Sequence, residues 1–250
     1  MTQDFNAFDA INLSGDPHLL IVCDHASNEM PPGYGTLGLP AEDFERHIAY
    51  DIGVDGMTRA LSAHLDCPAI LSRFSRLLID PNRGEDDPTL IMKLSDGAII
   101  PGNRHADAAE VEARLNLCHR PYHTAIDQAI RRSEAETGRG PNIISIHSFT
   151  KQLSGRAPRP WHVGVLYDWD LETAQALLSG FRAEPDLCVG DNEPYTGKLQ
   201  GDCMWRHATH RRLPHALLEI RNDLIETEAG QKEWAERLTP HIRQAFQANT

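Results

Sequence analysis

Five short apolar runs, each closed by a residue suited to hydrolytic chemistry, constrain this chain more than any other feature. They read HLLIVCDH, RLLIDPNR, NIISIHS, HVGVLYD and HALLEIRND. At their ends stand His25, Asp80 with Asn82 and Arg83, His147, Asp168 and Glu219. Runs so uniformly apolar suit strands covered on both faces. In open α/β sheets, ligands gather outside the carboxyl ends of the strands. One shared site is therefore expected, with histidines, carboxylates and an Asn-Arg pair suited to metal-assisted hydrolysis of an anionic substrate.

Between these runs lie stretches of helical period. Phe44, Ile48 and Ile52, and then Leu61 and Leu65, recur at spacings of four and predict a helix over 41–65, with Gly53 and Gly56 inside it. The two glycines weaken a helix interior, or else permit a close backbone approach. Strands are predicted at 18–23, 69–73, 77–80, 142–147, 162–167, 187–189 and 215–220. Further helices are predicted at 107–136, 171–182 and 227–247. Pro121 should kink or split the first of these, and Asp170 is a candidate N-cap for the second. The polar segment 84–105 lacks periodicity, and a loop of that length often covers a site. The alternation predicts one domain over 1–250, a three-layer αβα fold with a mainly parallel (mixed) sheet, of the phosphorylase/hydrolase-like kind.

A net charge of −12, with no basic stripe, argues against a nucleic-acid-tracking protein. No apolar run approaches bilayer length. The opening MTQDFNAFDAINLSGD has neither a basic nor an apolar signal region, so no secretory signal is expected. Five cysteines at 23, 67, 118, 188 and 203 form no Cys-x-x-Cys pair and leave an odd total. That usage suits a reducing cytoplasm.

A catalytic metal commonly takes three protein ligands, and His25 and His147, at equivalent strand ends, are the first candidates. For the third, Asp51 ranks above Glu29. Asp51 is expected on the first helix, with His47 one turn before it and Asp55 one turn after. Glu219 closes a run where burial should be high, which suits a general base, although a structural ion pair with Arg221 or another arginine is the alternative. Arg83 offers a planar fork for a substrate carboxylate beside Asn82, the alternative being a salt bridge to Asp80. His119 and His123 are one turn apart, but Pro121 stands between them and no glutamate does, so they are read as structural or as supporting the residues that line the site. Cys23 is read as an inert buried thiol.

Taken in order, VCDHASNEMPP, HIAYDIGVDGM, LSRFSRLLIDPNR, HRPYH, IISIHSFT, PWHVGVLYD, DNEPYTG and LLEIRNDLI resemble the N-formylglutamate amidohydrolase family, from about residue 18 to 226. The resemblance implies a fold similar to zinc-dependent exopeptidases and the aspartoacylase group. It implies a divalent metal, zinc first, and hydrolysis of a small N-acyl amino acid, foremost N-formyl-L-glutamate to formate and glutamate, in amino-acid catabolism. His25 and His147 would be ligands, Glu219 would activate the water, and Asn82 with Arg83 would hold the substrate carboxylate. The relatives place a glutamate three residues after the first histidine, where this chain has Asn28, with Glu29 one later. The third ligand therefore stays between Asp51 and Glu29. Two other readings are a deacylase or peptidase of the same fold with another substrate, and a non-catalytic small-ligand or metal-binding protein.

Overall fold

A computed structural model describes residues 5–247. In chain order its elements are β1 (Phe8–Ile11), β2 (Leu19–Cys23), α1 (Val54–Leu65), β3 (Ala69–Ser72), β4 (Leu94–Ser95), β5 (Ala98–Ile99), α2 (Ala108–Arg114) and α3 (Arg120–Thr137). Then come β6 (Asn142–Phe149), β7 (Val163–Leu166), α4 (Leu171–Arg182), β8 (Val189–Asp191), β9 (His215–Arg221) and α5 (Glu228–Gln247). Seven strands form one sheet in the order β1-β3-β2-β6-β9-β7-β8, and β4 pairs with β5 in a separate hairpin.

The central strands β3, β2, β6 and β9 run parallel. β1 is antiparallel to β3, and β7 is antiparallel to β9, so the sheet is mixed. Its period-2 pleat sends successive residues to opposite faces. Leu20 and Val22 pack with Tyr122, Ile126 and Ile130 of α3 on one side. Ile21 and Cys23 pack with Met57, Leu61, Leu177, Trp234 and Leu238 from α1, α4 and α5 on the other. Helices on both faces make three layers and explain why the inner strands are uniformly apolar: β6 and β9 are buried along their whole length.

The predicted helix over 41–65 is not continuous. A 3-10 turn covers Ala41–Glu45, and α1 begins only at Val54. Gly53, just before it, has a φ of 85°, and a Cβ there would lie 2.0 Å from the Ile225 carbonyl oxygen. Close approach, not helix propensity, is the reason for this glycine. The break frees Asp51 from the helix, and its backbone N–H donates to the His25 carbonyl (2.9 Å). Asp55 stays on α1 and pairs with Arg59 at the surface. The expected strand at 77–80 is instead a buried turn leading to Asp80. β1 is too short and mixed in pattern to stand out in the sequence.

The long helix over 107–136 divides where Pro121 requires it. A π turn over Leu115–His119 joins α2 to α3, which accommodates the missing proline N–H and the bulk of its ring. Asp170 caps α4 as expected, its side chain accepting from the Thr173 N–H. No helix among the described residues is long and apolar enough to cross a membrane.

Candidate active site

At the carboxyl ends of β2, β6 and β9 lies a cavity of about 450 Å³, lined by His25, Asp51, Arg76, Asn82, Arg83, His147 and Glu219 among others. Strand register accounts for two of these residues. β6 and β9 are adjacent and parallel, and His147 stands directly opposite Glu219. His25 follows β2, the other neighbour of β6, and its ring meets that of His147 edge-on with centroids 5.0 Å apart.

Asp51 joins the two histidines. His147 Nδ1–H donates to Asp51 Oδ2 at 2.9 Å, and His25 Nδ1 lies 3.4 Å from the same oxygen. The Ser148 backbone N–H also donates to it, at 3.2 Å. The opposite ring nitrogens are backed by further carboxylates. His25 Nε2–H donates to Asp80 Oδ1 (2.7 Å), and His147 Nε2–H donates to Asp24 Oδ2 (3.0 Å). Asp80 is tied to Arg76 at 2.7 Å, and Asp24 accepts from the Tyr122 hydroxyl at 2.8 Å. All of these acids and both rings are buried.

Burial alone would push the Asp24, Asp51 and Asp80 carboxyls up. The facing histidines, together with Arg76 beside Asp80, reverse that and hold all three below the usual carboxylate range. Burial likewise disfavours a charged His147, yet hydrogen bonds to Asp24 and Asp51 raise its pKa well above the ordinary value. Three buried carboxylates thus surround the two imidazoles, and Asp24 and Asp51 favour positive charge on His147. One ligand atom from each of His25, Asp51 and His147 lies within 4.8 Å of the others. Two imidazoles oriented by carboxylates behind them, plus a carboxylate oxygen, form a donor set that fits a divalent cation.

Glu219 faces a different balance. Burial pushes its carboxyl up, Asp51 adds to the rise, the nearby histidines and Arg76 oppose it, and the net value is about 7. Its Oε2 is buried without a hydrogen-bond partner. The alternative expected from the sequence, a pair with Arg221, is not formed, because Arg221 binds Asp223 at 2.7 Å. A carboxyl poised near neutrality inside a cavity is suited to taking up and returning a proton.

Asn82 and Arg83 follow Asp80 on the cavity wall. The Asn82 Oδ1 accepts from the Cys203 N–H (3.0 Å), so the donor end of its amide is the one left for the cavity. Arg83 does not bridge Asp80, a role taken by Arg76. Its Nη1 donates to the Asn82 carbonyl (2.7 Å) and its Nε to Thr89 Oγ1 (3.2 Å).

Glu29, the alternative third ligand, lies outside the cavity and pairs with Arg73 at the surface. Asp168 is also misplaced as a site residue. β7 runs antiparallel to β9, so its carboxyl end lies beside the start of β9, and Asp168 lines a separate shallow groove with Trp169. His47 does reach the cavity and faces Asp96 of the β4–β5 turn at 3.4 Å. Sequence reasoning misses Asp24, Arg76 and Tyr195, the last of which lines the cavity and accepts from Arg159 at 3.0 Å. For Arg76 a signal exists, since Arg four residues before Asp is a recurrent pairing; Tyr195, in a loop, offers none. Cys23 is fully buried outside the cavity lining, and burial pushes its thiol pKa well up.

A three-layer α/β fold with buried histidines, aspartates and an unpartnered glutamate at adjacent strand ends has the layout of a hydrolase. More particularly, the chain belongs to the N-formylglutamate amidohydrolase family, whose model matches residues 18–226. Among solved structures it is similar to the gene product Atu2144 from Agrobacterium tumefaciens, with 34% identity, 98% of this chain and 97% of that one covered, and a TM-score of 0.92. It also shares its fold with the N-formylglutamate amidohydrolase from Ralstonia eutropha JMP134, at 22% identity, 97% and 98% coverage and a TM-score of 0.75. No functionally curated protein matches the sequence.

Proposed function

We propose that this chain hydrolyses the amide bond of a small anionic N-acyl amino acid, foremost N-formyl-L-glutamate, with a divalent metal, zinc first, held by His25, Asp51 and His147. The observation that carries the reading is the opposition of His147 and Glu219 across β6 and β9, which sets an unpartnered carboxyl beside the His/Asp cluster within one cavity. When bound, the ion supplies Lewis acidity to the scissile carbonyl. Glu219 Oε2 takes a proton from the attacking water as its oxygen bonds to the acyl carbon. The same carboxyl then returns that proton to the amine nitrogen as the C–N bond breaks, releasing formate and glutamate. Arg83 and the Asn82 amide bind the substrate carboxylate and orient the amide. Asp24 and Asp80 fix the tautomers and ring planes of His147 and His25. Five cysteines free of disulfides suit a reducing cytoplasm.

Elemental analysis beside a formate-release assay tests this reading. Near-stoichiometric zinc in the wild type, lost in His147→Ala, with N-formyl-L-glutamate cleaved only by the metal-loaded form, is the expected result. Full turnover by thoroughly chelated protein would remove the metal from the reaction. Failure to cleave any N-acyl amino acid would leave a binding role.

A further inference from the structure

The site leaves unexplained a group of buried histidines on the outer side of its wall. His119 and His123 project from the π turn and α3 on one face, their ring centroids 4.3 Å apart, and are 0% and 3% exposed. His207, from the π turn over Trp205–Thr209, stacks on His123 at 5.1 Å. His123, Cys203 and His207 are close enough to suggest a second cation site. However, His123 Nδ1 and His207 Nε2 are 2.8 Å apart, the length of an N–H···N hydrogen bond. Two nitrogens on one tetrahedral zinc, each at about 2.0–2.1 Å, would stand roughly 3.3 Å apart.

The other ring nitrogens are more informative. His123 Nε2 lies 3.0 Å from the Pro81 carbonyl oxygen, and His119 Nε2 lies 3.0 Å from the Arg83 carbonyl oxygen. A carbonyl only accepts, so both rings carry their proton on Nε2. His123 Nδ1 is then the acceptor of the His207 Nε2–H. Burial, reinforced for His123 by the neighbouring rings and Arg206, lowers the His119 and His123 pKa values, in keeping with neutral rings of one tautomer.

These two bonds complete the backbone hydrogen bonding of Pro81-Asn82-Arg83. The Asn82 N–H donates to Asp80 Oδ1 (2.9 Å), and the Arg83 N–H donates to the Asp80 carbonyl (3.2 Å). The Asn82 carbonyl accepts from the Arg83 guanidinium. Without the two imidazoles, the carbonyls on either side of Asn82 would lose these donors, and the loop would be held by its remaining bonds to Asp80 and Cys203.

The geometry points to His119 and His123 as positioning residues that clamp the Pro81 and Arg83 carbonyls and so aim Asn82 and Arg83 at the substrate carboxylate. This rests on the proposed reading of Asn82 and Arg83, and it gives the HRPYH segment a task in substrate binding, separate from metal retention and proton transfer. The two rings act through the loop and touch neither the substrate nor the reacting atoms.

The test uses His119→Ala and His123→Ala beside His119→Gln and His123→Gln in the full-length, zinc-loaded protein. A glutamine places its Nε2–H donor near the lost imidazole donor, whereas alanine offers none. The alanine variants are expected to raise KM for N-formyl-L-glutamate tenfold or more, with kcat within about threefold and zinc content unchanged. They should weaken L-glutamate binding in parallel, and each glutamine should recover most of the loss. Long-range ¹H–¹⁵N spectra of the wild type should show both rings protonated at Nε2 alone. Unchanged KM, equal losses in kcat and zinc content, no recovery by glutamine, or Nδ1–H rings would each overturn the inference. A wild type that binds L-glutamate but cleaves no N-acyl amino acid would overturn the proposed function and leave the clamp standing, provided the variants bind it more weakly. A wild type that binds no L-glutamate would overturn the clamp.

Discussion

His147 and Glu219 face each other in register on the adjacent parallel strands β6 and β9, one within the His25–Asp51–His147 cluster and the other beside it. That pairing fixes their separation through the sheet's hydrogen bonds and not through a flexible loop. It also gives the two side chains opposite electrostatic fates. His147 is stabilised as a cation by Asp24 and Asp51, while Glu219, unpartnered at Oε2, is pushed toward neutrality.

Replacing Glu219 by Gln keeps the side-chain volume and removes the proton carrier. Turnover should fall by about 10²–10⁴, the usual contribution of a positioned acid–base group, with metal content unchanged because Glu219 lies outside the His25–Asp51–His147 cluster. Steady-state kinetics and elemental analysis on one preparation check this, and wild-type turnover in the variant would take Glu219 out of the mechanism.

The same carboxyl should leave a mark on stability in metal-free protein. Its pKa is raised from 4.5 to about 7 in the fold. Between those values the folded chain keeps a proton that the unfolded chain has released. Its contribution is therefore fully present below about pH 4.5 and lost as pH rises through 7. Glu219→Gln does not titrate. Urea unfolding of both proteins at pH 4.5 and pH 8 should show the variant gaining on the wild type by on the order of 3 kcal/mol across that interval. Parallel stability curves would show that Glu219 titrates normally.

How far the chain is readable depends on whether a feature is local. The inner strands stand out as apolar runs because both faces are covered, and the ends of β2, β6 and β9 bring His25, His147 and Glu219 to one cavity. Strand direction is not written in such runs. HVGVLYD looks like its neighbours, yet β7 pairs antiparallel to β9, and Asp168 is carried away from the site. The fourfold spacing of Phe44, Ile48 and Ile52 draws Asp51 into an expected helix. The chain instead breaks before α1 at Gly53, which is left-handed and lies against the distant Ile225 carbonyl. Asp24 and Tyr122 become site residues only through partners distant along the chain, which no short window of sequence reveals.

Arg83 should govern affinity more than chemistry. Its guanidinium lies on the cavity wall outside the His/Asp cluster and makes no ion pair with Asp80. Charge-assisted bonds to a carboxylate contribute about 1.5–3 kcal/mol. Arg83→Ala should therefore raise KM for N-formyl-L-glutamate roughly 10- to 100-fold while kcat changes much less. Lysine should restore only part of this, since it lacks the planar fork. A KM equal to wild type would locate the carboxylate site elsewhere in the cavity.

Gly53 offers a structural test of how Asp51 is delivered. Its φ of 85° and the 2.0 Å that would separate an added Cβ from the Ile225 carbonyl oxygen leave no room for alanine without moving the backbone that follows Asp51. The cost should be on the order of 2–4 kcal/mol, lowering Tm by about 5–15 °C in a chain of this length. Gly56 is the control. A Cβ there meets the tip of the Gln231 side chain, 2.0 Å away, so alanine displaces the amide that donates to the Ile225 carbonyl (3.1 Å), a loss that the gain in helix propensity inside α1 offsets. Gly56→Ala should stay within about 1 kcal/mol of wild type. Zinc affinity should follow the same order, reduced in Gly53→Ala because Asp51 shifts and near wild type in Gly56→Ala. Calorimetric unfolding and zinc titration of both variants decide it: equal behaviour would mean that the break before α1 does not set the position of Asp51.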